Sequence, residues 1–186
     1  MNKKTIGIIL AGMLLYLSAC GPGKIPTQSF TRENANLPLI QKVAVFPFEG
    51  GGRAPRIREL AMTQLLAYDI FDVVDKGRVD NILQQEAIGA TAPLDVYTIR
   101  RFGEALNVQA IILGSVEQIN ESRGNAVFTE MTITLRLIET ETGQLLWQAS
   151  GRGSGYSLAD RLFGFAPKDS FQVTMDLLAE LFATMQ

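Results

Sequence analysis

Histidine is absent from the 186 residues, and cysteine and tryptophan each occur once. Without histidine the chain lacks the commonest general base near neutral pH. With a single cysteine as well, no Cys/His metal set can be assembled. That cysteine has no partner for a disulfide within the chain, so stability must come from packing. Strong basicity is also missing. Lys and Arg number 17 against 19 Asp and Glu, with no basic run, so nucleic-acid binding has no electrostatic footprint. The apolar stretch Ile6–Leu17 is 12 residues long and broken by Gly7 and Gly12. A bilayer core takes roughly 20 residues of helix, so this stretch is too short to span one.

What is present begins with that stretch. Lys3 and Lys4 precede it and Leu17-Ser18-Ala19-Cys20 ends it, the layout of a secretory leader with small residues at its cleavage point. The Leu-Ser-Ala-Cys sequence resembles the bacterial lipobox. The resemblance implies that Cys20 becomes the first mature residue, carrying a diacylglycerol on its thiol and an acyl group on its amine. Each buried methylene contributes about 0.8 kcal/mol, so two or three chains hold a protein firmly where one does not. Gly21 stands where the inner-membrane retention signal would have Asp, which by resemblance favours the outer membrane, facing the periplasm. Removing residues 1–19 leaves 167, enough for one domain with a real core. The leader holds two of the basic residues and no acidic one, so the mature chain carries about −4.

Residues 20–38 read as the lipidated cysteine and a flexible tether, rich in Gly, Pro, Asn, Ser and Thr without a sustained period. As a coil, such a segment spans roughly 25 Å root-mean-square. Residues 39–186 read as one domain alternating strands and helices. Val43–Phe46 is a buried-strand run, and Pro55 can open a helix with Ile57, Leu60, Ala61, Leu65 and Tyr68 on one face. Phe71–Val74 is a second strand. Val79, Ile82, Leu83 and Ala87 mark a second helix ending near Gly89. Ile99, Phe102 and Leu106 mark a third ending around Asn107. Ala110–Val116 is apolar throughout, as a central strand is. Met131, Ile133, Leu135 and Leu137 alternate with Thr132, Thr134 and Arg136, and after the turn at Glu139–Gly143 a partner strand returns through Leu145, Trp147 and Ala149. Asp169 and Gln172 have capping-box spacing before a last helix with Phe171, Met175, Leu178, Phe182 and Met185 on its apolar side. The expected fold is α/β, a three-layer sandwich with a mixed sheet of about five strands and about four helices.

Little in this pattern carries reaction chemistry. No serine lies in a nucleophile elbow and no lysine in a phosphate loop. Asp72, Asp75 and Asp80 fall around a strand-to-helix junction, where Asp usually caps or is solvated. Gly50-Gly51-Gly52-Arg53 has the strand-to-helix context of an anion loop without its lysine, and reads first as a flexible connector. No catalytic residue, metal ligand or cofactor is expected. The candidate partner-binding residues are Tyr156, Leu162, Phe163 and Phe165, on a glycine-rich loop over Gly151–Lys168. They either form an exposed partner surface or fold back over the sheet.

Phe71-Asp72-Val73-Val74-Asp75-Lys76-Gly77-Arg78, followed by Val79, Ile82 and Leu83, resembles the strand-to-helix signature of CsgG-type periplasmic lipoproteins. The segment Phe102–Ser115 is similar to their next helix and strand, and Leu135–Trp147 to their paired strands. Related folds, the TolB amino-terminal domain and the penicillin-binding-protein activator LpoB, share the pattern. The resemblance implies an α/β periplasmic domain that works by assembly rather than catalysis. The CsgG pore itself needs two spanning hairpins per subunit. The corresponding stretches here, Gln118–Phe128 and Arg152–Lys168, have 11 and 17 residues and lack the alternation of spanning strands of ~9–11 residues each.

The expected function is therefore that of a non-enzymatic outer-membrane lipoprotein. Its CsgG-like domain would bind or scaffold periplasmic or outer-membrane proteins in envelope assembly or secretion. Two alternatives stand beside it, an LpoB-like regulator of a peptidoglycan synthase and a subunit of a CsgG-like channel. Homo-oligomer formation is left open. Cys20→Ala should release a folded, soluble domain into the periplasm, read by membrane fractionation. Continued sedimentation with the outer membrane would show another attachment. Phe163→Ala and Phe165→Ala should weaken partner recovery in a pull-down while leaving the melting temperature unchanged.

Overall fold

The structure is a computed structural model, and it describes residues 25–87, 94–123, 126–156 and 168–185. Seven strands form one sheet: β1 (Thr27–Thr31), β2 (Lys42–Val45), β3 (Glu49–Gly50), β4 (Asp72–Val73), β5 (Ala110–Arg123), β6 (Ala126–Glu139) and β7 (Leu145–Ser154). Their order is β1-β7-β6-β5-β2-β4, with β3 beside the far part of β5. Pairing is antiparallel from β1 to β5, and β2, β3 and β4 run parallel, so the sheet is mixed. Four α-helices are described: α1 (Ala54–Ala67), α2 (Lys76–Gln85), α3 (Val96–Leu106) and α4 (Ser170–Ala183).

Helices cover both faces, giving three layers. On one face α1 and α4 close over Val43, Val45, Ile112, Ile133, Leu135 and Trp147. On the other, α2 and α3 close over Ala44, Phe46 and Ile111, with Phe46 and Phe102 edge to face at 5.2 Å. Adjacent residues of β2 therefore feed different cores, as the period of two in a strand requires. The sheet holds two more strands than the five expected. The additions, β1 and β3, are short and exposed, with few buried apolar residues to signal them.

Helix starts follow the capping rule. Asp75 accepts from the Gly77 and Arg78 amides, Asp95 from Thr98 and Asp169 from Gln172. Asn107 ends α3 in the left-handed conformation that asparagine tolerates, at φ 54°. Two helical faces differ from expectation. In α4 the buried residues include Val173, Leu177 and Leu181, whereas Phe171 is 46% exposed. Apolar side chains surround that helix, so period alone did not select the face. In α1, Tyr68 is exposed, and Arg58 and Gln64 are buried in the places apolar residues would take.

The segment expected to be tether supplies β1. Thr27–Thr31 pairs with Gly151–Trp147, and Ile25 packs against the core. The strand is held by backbone hydrogen bonds, which any sequence can make, and four of its five side chains are exposed. Composition therefore reads as linker while the backbone pairs. At the same end, β5 and β6 continue past β7 as a two-stranded arm, with four rungs from Asn120–Thr129 to Arg123–Ala126.

Arg58 joins the layers. Its side chain is only 4% exposed; Nε and Nη2 donate to the Val45 carbonyl at 3.0 and 2.8 Å, and Nη1 to Asp80 Oδ1 at 2.6 Å. One guanidinium thus ties α1, the end of β2 and α2. Arg58→Met should cost about 1–3 kcal/mol, the penalty for a buried carbonyl left without its donor. Chemical denaturation checks this, and a change under 0.5 kcal/mol would show that water replaces the donor.

Candidate interaction surface

The acidic residues picked out by sequence all have structural work. Asp72 pairs with Lys42 at 3.3 Å, Asp75 caps α2 and Asp80 holds Arg58. Among the described residues two carboxyls are moved from their ordinary range, both downward. Glu59 is lowered by its hydrogen bond to the Lys76 ammonium and by that ammonium's charge, and Asp95 by the Thr98 amide it caps. Neither would hold a proton near neutral pH. Among the described residues no three His, Cys, Asp or Glu side chains are grouped to hold a metal. The Gly50–Arg53 stretch completes β3 and turns into α1, with the Ala54 amide donating to the Gly51 carbonyl at 2.9 Å.

The predicted site residues divide at the limits of the described chain. Cys20, Leu162, Phe163 and Phe165 lie outside the described residues. Tyr156 is described and partly buried, with its amide donating to Ser154 Oγ at 3.3 Å. Beside it the Gly155 amide donates to Thr129 O at 2.9 Å and the Lys168 amide to Gly155 O at 2.8 Å. Both flanks of residues 157–167 therefore meet at the base of the β5–β6 arm. Chain entry into β1 is at this same end, where the Arg152 amide donates to the Pro26 carbonyl.

At the opposite end, where β2 and β5 begin, two grooves lie on either side of the β6–β7 turn. The larger, about 790 Å³, is lined by polar groups including Lys42, Asp72, Arg100, Glu104 and Glu141. Its shape depends on a close approach of α3 to the turn. Gly103 faces Thr140, and a Cβ there would collide with the threonine side chain. Thr140 is buried and its hydroxyl is shared between the Val108 and Gln109 carbonyls at 2.9 Å each. Arg100 fixes the turn from outside, donating through Nη2 to the Glu141 carbonyl at 2.6 Å. The smaller groove, about 620 Å³, lies between the turn and residues 30–40. Exposed apolar residues rim this end: Phe30 and Leu39 beside the smaller groove, Val96 and Tyr97 at the start of α3. Tyr97 is 79% exposed. Sequence reading did not select it, because one tyrosine at a helix start has no periodic signature.

Polar lining, paired charges and exposed apolar residues set this end of the sheet apart from the end at which β1 enters. Glu104 lines the larger groove and also a third, of about 400 Å³, between α2 and α3. Grooves thus lie on both sides of α3.

Among solved structures, the chain is similar to the PelC dodecamer from Paraburkholderia phytofirmans, at 18% identity and TM-score 0.59, covering 87% of this chain and 96% of that one. It is also similar to lipoprotein GNA1162 from Neisseria meningitidis, at 15% identity and TM-score 0.56, covering 77% and 97%. Both likenesses are of fold. No curated protein matches the chain. Residues 57–152, about half the chain and running from α1 into β7, match the family described as peptidoglycan-synthase activator LpoB. That stretch contains nine of the eleven residues lining the larger groove, together with Val96 and Tyr97, and leaves out β1, Tyr156 and α4. LpoB is one of the relatives that the strand-to-helix signatures implied, and the match bears on it rather than on the CsgG-type proteins. The chain belongs to the peptidoglycan-synthase activator LpoB family.

Proposed function

We propose that the protein is an outer-membrane lipoprotein, anchored through acylated Cys20, that activates a peptidoglycan synthase by binding it in the periplasm. The observation that carries this reading is the family match over residues 57–152. It narrows the broader expectation of a scaffold for envelope assembly to one of its alternatives. The groove between α3 and the β6–β7 turn, together with exposed Tyr97 at the start of the same helix, is the contact surface on this reading. Its lining falls almost wholly inside the matched stretch, and it lies at the end remote from chain entry. A non-catalytic role agrees with acidic side chains committed to caps and ion pairs. The channel alternative has less support, since the arm beyond β7 has four rungs and a spanning strand takes roughly 9–11 residues.

The test is a reconstituted glycan-polymerisation assay with a bifunctional penicillin-binding protein from the same cells. Added protein should raise polymer yield and bind the synthase directly. Tyr97→Ala and Glu104→Lys should each weaken binding about tenfold or more, as interface anchors do, with unchanged melting temperature. Binding and stimulation unaffected by both variants would place the contact elsewhere. Absence of binding to any synthase of the cell would overturn the reading.

A further inference from the structure

The helix layers cover the two faces of the sheet unequally. Toward α1 and α4 the core runs from β2 across to β7. Toward α2 and α3 the second core reaches only Leu113 and Ile138 at its margin. Beyond that margin the side chains of β6, β7 and β1 on the same face are half-buried or exposed. Their placement follows from the register. Leu113, Arg136, Gln148 and Phe30 stand opposite one another on four successive strands, β5, β6, β7 and β1. Ser115, Thr134, Ser150 and Gln28 form the next row in the same way. At about 4.8 Å between strands, each row runs ~14 Å across the face.

The first row holds the strongest donor. Arg136 is half-buried, and among the described residues its guanidinium takes no ion pair and no hydrogen bond. It is the converse of Arg58, whose donors meet a carbonyl and a carboxylate. The neighbouring cation on the face, Arg152, has Glu130. Gln148, directly opposite Arg136, likewise leaves its side-chain amide without a partner among the described residues. In the second row the hydroxyls of Thr134 and Ser150 bond to each other at 2.9 Å, and each keeps a lone pair for a further donor. Phe30, two strands away from Arg136, is 50% exposed. A guanidinium fork, an amide, a hydroxyl pair and a flat ring thus lie within about 10 Å on one surface.

We propose that this open face of β5, β6, β7 and β1 binds a carboxylate-bearing glycan strand, with Arg136 holding the carboxylate and Phe30 a sugar face. Charge selects the anion. A guanidinium takes a carboxylate through two parallel N–H···O bonds, and a site partly out of water strengthens the pair. Composition selects the glycan. The core of a protein–protein contact is rich in aromatic residues, Met and Arg and poor in Ser. In these two rows hydroxyl and amide side chains outnumber apolar ones, and each both donates and accepts, which matches a hydroxylated ligand. Arg136 and Gln148 line neither groove at the β6–β7 turn, so a glycan held here leaves the larger groove free for a synthase. The proposal shares only its periplasmic setting with the function given above.

The experiment uses the full chain, isolated from membranes in detergent. It is sedimented with purified peptidoglycan sacculi, which carry carboxylates, or with chitin, a neutral chain of related sugars. Sacculi should carry the protein down and chitin should not, and added salt should lower the bound fraction. Arg136→Glu should weaken binding about tenfold or more, as loss of a charge-assisted fork does. Arg136→Lys, which keeps the charge without the fork, should fall between, and Phe30→Ala should weaken binding with an unchanged melting temperature. Equal sedimentation with chitin, or binding to sacculi untouched by Arg136→Glu and Phe30→Ala, would overturn the proposal. Failure of the native chain to bind sacculi, with synthase binding lost in Arg136→Glu, would assign the face to a protein carboxylate instead. Sacculus binding needs no synthase, so Arg136→Glu and Tyr97→Ala separate a failure here from a failure of the activator reading.

Discussion

Everything in this fold hangs on a charge buried where three layers meet. Arg58 leaves α1 on one side of the sheet, reaches the last carbonyl of β2, and ends against Asp80 of α2 on the other side. A guanidinium taken out of water is tolerated only when its donors are matched, and here three of its nitrogens are. The two apolar cores share strands but contain separate sets of side chains. Hydrophobic burial is non-directional and would allow the helices to slide over the sheet. The fork of Arg58 fixes their positions, since it satisfies one carbonyl and one carboxylate in a single arrangement. Other polar ties lock the remaining helix. The Gln64 amide donates to the Met175 carbonyl at 2.8 Å, and the Trp147 indole to the Thr184 hydroxyl at 3.0 Å, both onto α4.

A sheet held this way has two unlike ends. Where the parallel strands begin, short turns and the close approach of Gly103 to Thr140 leave polar grooves in which the Val108, Gln109 and Glu141 carbonyls accept from Thr140 and Arg100. Where β1 enters, the antiparallel strands run on into an arm and carry both flanks of the loop that sequence reading chose. Fold likeness to PelC and to GNA1162 extends over most of this chain, whereas the activator family match covers the helices and strands that build the larger groove. The two findings overlap, the family match being confined to the shorter stretch.

Legibility followed the physics of each signal. Strand β6 was readable because its alternation of Ile133, Leu135 and Leu137 with threonines is the imprint of one buried face, and its burial follows that alternation. Asp169 was readable because capping is local, and its carboxylate accepts from Gln172 at 2.8 Å. Strand β1 was not readable, because an edge strand of mostly exposed residues leaves no hydrophobic trace. The face of α4 was read in part: Leu178 and Phe182 are buried as expected, while Val173, Leu177 and Leu181 join them and Phe171 is exposed, since which side of the helix meets the sheet is settled by its neighbours. Tyr97 and the groove beside it went unseen for a similar reason. They are made by α3, the β2 start and a turn about 40 residues further along the chain.

The sequence alone determined the α/β class, most of the helices and strands, the capping aspartates and the absence of a Cys/His metal set. These rest on local periodicity, propensity and composition, which neighbouring residues carry among themselves. Only the tertiary structure decided that a linker-like segment completes the sheet, that Arg58 is interior, and that one end of the domain bears grooves while the other bears an arm. Each of those depends on backbone hydrogen bonds or charge pairs between residues distant in the chain. Such contacts exist only once the layers have packed.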